Sequence, residues 1–186
     1  MKQPQRHFSA IARLLHWSMA VLIIAILFVG VGMVSTVSRP HTMLLAVHRP
    51  LGIALLVLVI VRALVRLVRG APPLPRDLPT WQRVAAHASH LALYGLMMAM
   101  PLIGWSMLSA GGYPVVMFGS VHLPPIVPHN VALYAWLRAA HTWFALALFS
   151  IVLLHLSAAL FHALIRRDGV LASILRGEAR AQTTRA

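Results

Sequence analysis

Four histidines stand in long apolar stretches of this 186-residue chain: His16, His48, His141 and His155. A neutral imidazole in such surroundings offers a nitrogen lone pair to a metal. The chain has no cysteine, which excludes thiolate ligands, disulfides and covalent haem attachment through Cys-x-x-Cys-His. His141 and His155 are fourteen residues apart, which in a helix is about 21 Å of rise and a return to within roughly 40° of the same face. One helix can therefore offer a ligand at each of two levels. Two pairs of imidazoles about 20 Å apart do not make one tetrahedral zinc site. They suit two six-coordinate iron macrocycles that exchange electrons at their periphery and do not bind oxygen at the metal.

The elements that must position these residues are membrane spans. Hydrophobic residues make up 60% and charged residues 10% of the chain, against about 25% charge in a soluble domain. Four stretches reach spanning length, at about 13–34, 48–69, 87–108 and 139–165. The expected fold is an all-α integral membrane protein, a four-transmembrane-helix bundle with two haems, formed as one unit over residues 1–186. The apolar run after Arg13 is too long for the core of a cleaved export signal and reads as the first span.

Sixteen basic residues face three acidic ones, but their placement at span ends argues against nucleic acid. Thirteen fall on the side of the termini, and only Arg39, Arg49 and Arg138 fall on the other. The positive-inside rule then puts both termini in the cytoplasm, and in a bacterium the protein lies in the inner membrane. With that orientation His16 and His155 are low and His48 and His141 are high. His48 with His141 forms the periplasmic pair, and His16 with His155 the cytoplasmic pair. His162, two turns beyond His155, remains an alternative lower ligand by helical arithmetic.

Glycines support the two levels. Gly30 lies fourteen residues beyond His16, on the same face at the height of the upper pair, and Gly52 lies one turn past His48. A residue without a side chain lets a flat macrocycle approach, although glycine also aids helix packing in membranes. On the lower side Arg62, Arg66, His87 and His90 are candidates to bond haem propionates, His87 and His90 alternatively to assist a proton step. The segment Val34 to Val47 reads as a short turn, with Pro50 in the first turn of span two. Gly70 to Pro79 reads as a rigid proline-rich connection. Pro101 falls inside span three, Ser109 to Arg138 reads as a lid on the helix ends in which Val131–Ala139 could form a short amphipathic turn at the surface, and a short surface helix followed by disorder is expected after Asp168.

Arg13-Leu-Leu-His16-Trp17, His48-Arg-Pro-Leu-Gly52 followed by Val61-Arg62, His87-Ala-Ser-His90-Leu-Ala-Leu-Tyr94, Pro101-Leu-Ile-Gly104, and the span from His141 through His155 together resemble the bacterial cytochrome b561 family, from about Gln5 to Arg176. The resemblance implies two b-type haems with His16, His48, His141 and His155 as ligands. It also implies an activity, since the best described branch oxidises superoxide and reduces ubiquinone. Related members serve as cytochrome subunits that take electrons from a dehydrogenase or hydrogenase. Pro50 departs from the small polar residue that relatives often carry there.

Charge favours the superoxide reading. Asp77, Asp168 and Glu178, all the acidic residues, fall on the cytoplasmic side. Arg39, His41, Arg49, His122, His129 and Arg138 line the opposite rim, where they would focus a small anion toward the upper haem edge. The same rim would suit an acidic redox protein, the arrangement expected of an electron-transfer subunit.

Overall fold

The structure, a computed structural model, describes residues 8–70 and 78–176. The rigidity expected of the proline-rich connection with Asp77, and the disorder expected of the tail with Glu178, concern residues outside these ranges.

Four long helices dominate: α1 (Ala10–Ser35), α2 (Arg39–Arg69), α3 (Thr80–Ala110) and α4 (Val131–Phe161). Each is long and apolar enough to cross a membrane. Between α3 and α4 lie two short strands, β1 (Val115–Met117) and β2 (Val121–Leu123); a π-helical turn (His162–Arg166) and a short helix, α5 (Val170–Arg176), follow α4. The starts are specified locally. The Ser9 hydroxyl accepts the Ala12 amide hydrogen at 3.2 Å, and Asn130 Oδ1 accepts that of Leu133 at 2.9 Å, satisfying amides that have no partner within the helix.

Two boundaries depart from the sequence reading. α2 begins at Arg39, so most of Val34 to Val47 is helix and not loop; Pro40 occupies the first turn, and Pro50 lies inside the helix. Likewise α4 begins at Val131 and takes in the segment before residue 139. The physical reason is length. A helix of 31 residues spans about 46 Å, whereas the hydrocarbon core is about 30 Å thick. Hydropathy marks the portion in lipid and is blind to turns that project beyond it. Pro50 cannot donate to the carbonyl one turn back, a loss that membrane helices tolerate when neighbouring groups compensate.

Consecutive helices run antiparallel. Arg62 near the end of α2 reaches Ala12 at the start of α1, Arg62 also meets Tyr94 early in α3, and Gly104 late in α3 faces His141 early in α4. The interior cluster is small: Met19, Ile23, Leu55, Leu56, Val59, Met97 and Leu148. Leu14, Phe28, Leu91 and Leu154 point outward, as lipid-facing residues do. Association of such helices rests on close packing, since lipid is as apolar as the interior.

The two ends of the bundle differ. At the hairpin end, β1 and β2 pair antiparallel with Val116 opposite His122, and β1 packs against α2 and α3 through the buried Val115. Trp105 Nε1 donates to the Pro124 carbonyl at 3.0 Å, and Ser109 Oγ accepts from the Ile126 amide at 3.2 Å. The connection therefore lies down on the helix ends. At the opposite, terminal end, α5 folds back, and Trp17 Nε1 of α1 donates to the Ile174 carbonyl at 3.2 Å.

Candidate functional site

The four helices bring their polar interior residues into two layers. In the layer nearer the hairpin end, the His48 and His141 ring centres are 6.1 Å apart with planes inclined at 65°. In the layer nearer the terminal end, His16 and His155 are 6.4 Å apart, also at 65°. Two imidazoles binding one metal ion from opposite sides hold their ring centres about 6 Å apart, since each metal–nitrogen bond is about 2 Å. The pairs read from depth and helical phase are thus the pairs that face one another. Among the described residues no three metal-ligating side chains converge on one point, so a small-ion cage is not formed.

The surroundings of the hairpin-end pair suit a flat, bulky ligand. A Cβ on Gly104 would stand 3.3 Å from His141 Cε1, and one on Gly30 would stand 4.0 Å from His48 Cε1. Both glycines therefore clear space beside a ring. Gly52 is oriented differently: its Cβ position faces Ile26 of α1 at 3.9 Å, a helix-packing role. Among the described residues three buried side-chain polar atoms lack a hydrogen-bond partner, and they are His48 Nδ1, His141 Nδ1 and Arg49 Nε. Their concentration at one level fits a layer that takes a group from outside the polypeptide. Leaving such groups unpaired costs about 1–3 kcal/mol each.

The terminal-end layer is more polar, and its arginine is paired within the protein. His90 joins it, with its ring centre 5.6 Å from that of His155. Arg62, a propionate candidate by sequence, donates from Nε to the Tyr94 hydroxyl and from Nη1 to the Ala12 carbonyl, each at 3.0 Å. Arg66 lies over the Tyr94 ring at 5.8 Å, a cation–π arrangement. Both arginines thus join α2 to α3, and Arg62 also joins it to α1. His87 does not join the layer: it is exposed, and its Nδ1 donates to the Arg83 carbonyl at 2.7 Å. Of the alternatives on α4, His155 is the one beside His16, while His162 donates to Asp168 at 2.5 Å.

Gly104 is the residue that sequence reasoning missed. A signal was present, because Gly104 lies fourteen residues after His90, as Gly30 does after His16, Arg62 after His48 and His155 after His141. Each helix repeats the same interval, so every helix contributes one residue to each layer.

The rim residues do not form one cluster. Arg39 and Arg138 are exposed at the starts of α2 and α4. His41 Nδ1 donates to the Met33 carbonyl at 3.0 Å, joining the ends of α1 and α2. His122 stands exposed on β2, and His129 packs near Gly112, where a Cβ would meet its Nδ1 at 3.3 Å. Arg49 differs from all of these in having its Nε buried. At the other end, burial pushes the Asp168 carboxyl upward, but hydrogen bonds from His162, the Val170 amide and Arg166, with the His162 charge, outweigh it and hold it below the ordinary carboxylate range.

The family model of prokaryotic cytochrome b561 matches residues 7–177. Cytochrome b561 homolog 2 of Escherichia coli (strain K12) is 30% identical over 175 residues, covering 92% of each chain. Cytochrome b561 homolog 1 of the same organism is 29% identical over 168 residues, covering 88% of this chain and 94% of its own. A probable superoxide oxidase, CybB, of Yersinia pestis is 33% identical over 126 residues, covering 67% of this chain and 70% of its own. With four helices long and apolar enough to span a membrane and its facing histidines, the chain belongs to the prokaryotic cytochrome b561 family of haem-b membrane electron-transfer proteins.

Proposed function

We propose that this protein is a superoxide:ubiquinone oxidoreductase of the bacterial inner membrane with two bis-histidine b haems, one held by His48 and His141 and the other by His16 and His155. The observation that carries the reading is the pair of matched ring separations, 6.1 and 6.4 Å, at levels about 21 Å apart along α4. When bound, haem b supplies one-electron exchange between ferric and ferrous iron. Everything else falls to the chain's own residues. His48 with His141 and His16 with His155 would hold the two haems through their ring nitrogens, a ligand set suited to electron transfer and not to oxygen binding. Gly30 and Gly104 keep the hairpin-end level open, and the apolar residues between the levels exclude water.

Orientation follows from charge. Arg13, Arg62, Arg66, Arg69, Arg83, Arg166 and Arg167 lie toward the terminal end, against Arg39, Arg49 and Arg138 toward the hairpin end. This bias supports a cytoplasmic terminal end and a periplasmic hairpin end. The exposed Arg39 and Arg138, with His41, His122 and His129, would draw superoxide to the upper rim. The balance is simple: two superoxide anions each give up one electron and leave as dioxygen, and one ubiquinone takes two electrons and two protons. Ubiquinone enters sideways from the bilayer. The superoxide name of the Yersinia pestis relative supports this choice of donor.

A second reading, an electron-transfer subunit serving another dehydrogenase or redox protein, is favoured by the hairpin, where Phe118, Val121 and Ile126 are exposed beside the basic rim as a docking surface would be. Pulses of superoxide on purified protein separate the two. The first reading predicts haem reduction faster than spontaneous dismutation, followed by reoxidation by ubiquinone. Failure of the haem to reduce, with a redox protein retained through purification, supports the second.

A further inference from the structure

Metal coordination takes up one nitrogen of each imidazole, but it cannot satisfy a guanidinium donor. Arg49 Nε is a donor, buried without an acceptor, one residue from His48. Among the described residues the one carboxylate is Asp168, and it does not serve this nitrogen. Asp168 lies at the terminal end among His162, Arg166 and Val170, and Asp77 and Glu178 follow, in sequence, helix ends on that same side. The Arg39 and Arg138 side chains reach solvent at this end of the bundle, where water can complete their bonds. The buried Arg49 Nε follows His48 directly in α2, and a cation there is best satisfied by an anionic acceptor from outside the polypeptide.

We propose that Arg49 anchors a carboxylate side arm of the macrocycle held between His48 and His141. It donates from Nε and the adjoining guanidinium nitrogen in the two-point geometry that arginine forms with carboxylates. This rests on the reading that a haem occupies that layer, and it reassigns Arg49 from the substrate rim to cofactor positioning. The terminal-end layer needs no equivalent from Arg62, whose donors are engaged by Tyr94 and Ala12. A small anion from solution shares the chemistry of a carboxylate and is the competing source.

The test uses the full-length protein purified from membranes. Wild type, Arg49→Gln and Arg49→Lys are compared by haem content, redox titration and reduced-minus-oxidised infrared spectra with isotopically labelled haem carboxylates. Loss of the adjacent positive charge favours ferric iron. Arg49→Gln is expected to lower the midpoint of one haem by about tenfold in the reduction equilibrium, ~59 mV for one electron, and to shift one labelled carboxylate band. Arg49→Lys is expected to retain most of the midpoint while still shifting the band. Two haems with bands and midpoints unchanged in both variants would overturn the assignment. So would a wild-type midpoint that moves with added chloride or phosphate only while Arg49 is present, because that outcome names a solution anion. If Arg49→Gln does not accumulate, Arg49→Lys and the anion titration of wild type still decide. Wild type lacking a haem at the His48 and His141 level would instead defeat the functional reading beneath.

Discussion

The two layers of this bundle are built from the same interval on the same four helices, yet they are finished differently. The hairpin-end layer consists of Gly30, His48, Gly104 and His141, with Arg49 beside it; the terminal-end layer consists of His16, Arg62, His90 and His155. In the first, two positions are emptied of side chain and three polar atoms are left without partners. In the second, the arginine is paired within the protein and a third imidazole stands near His155. One layer is opened by glycines and leaves polar atoms unpaired; the other is cross-braced by Arg62. The contrast teaches that equal spacing fixes the height at which the histidines of neighbouring helices meet, while the residues sharing each level decide how tightly the protein closes there.

Substitutions that separate the layers should have the largest effect. Replacing His48 or His141 by Ala is expected to remove the hairpin-end haem and abolish reduction by superoxide, leaving about half of the haem absorbance. The same change at His16 or His155 should leave the hairpin-end haem reducible but impair transfer onward. Haem quantification and reduced-minus-oxidised spectra read both, and equal loss of both haems from all four variants would contradict the independent layers.

Crowding should come next. Gly104→Val places branched carbon where even a Cβ would stand 3.3 Å from His141, and overpacking of this kind costs about 1–3 kcal/mol. The hairpin-end haem should fall to a minor fraction of chains, while Gly30→Ala, with 4.0 Å of room, should retain it. Spectral titration with added haem orders the two. Similar retention by both would remove the argument that Gly104 guards that space.

How much of this contrast could be read from the sequence depends on the residue. The pairing of His48 with His141 and of His16 with His155 was legible because depth and helical phase depend only on residue count. The starts of α2 and α4 were not, since hydropathy ends where lipid ends and Pro50 resembles a first-turn proline as readily as Pro40. Residue count sets Arg62 and Arg66 toward the terminal end, but the direction of a long side chain is set by Tyr94 on another helix. Gly104 escaped because its partner, His141, belongs to the next helix and only the repeated interval connects it to the layers.

Smaller effects test the rims of the two ends. Arg39→Gln with Arg138→Gln should lower the superoxide reaction severalfold, and added salt should slow wild type more than the double variant, because screening acts on the same charges. Stopped-flow rates at several ionic strengths decide it; an identical salt response would remove those arginines from anion steering.

At the terminal end, the depressed Asp168 pKa means that its contribution to holding α5 is complete above the ordinary carboxylate value and is lost as pH falls through its lower, folded value. Asp168→Asn should therefore raise amide exchange in α5 severalfold at neutral pH, and the gap between variant and wild type should close only in strong acid. A gap that closes near neutrality would assign the hold to another group.

The central claim is that each layer holds one haem. An anaerobic reduced-minus-oxidised spectrum with haem quantification on purified full-length protein tests it most directly. Two b haems per chain is the expected result; one haem, or none after purification under haem-sufficient conditions, would contradict it.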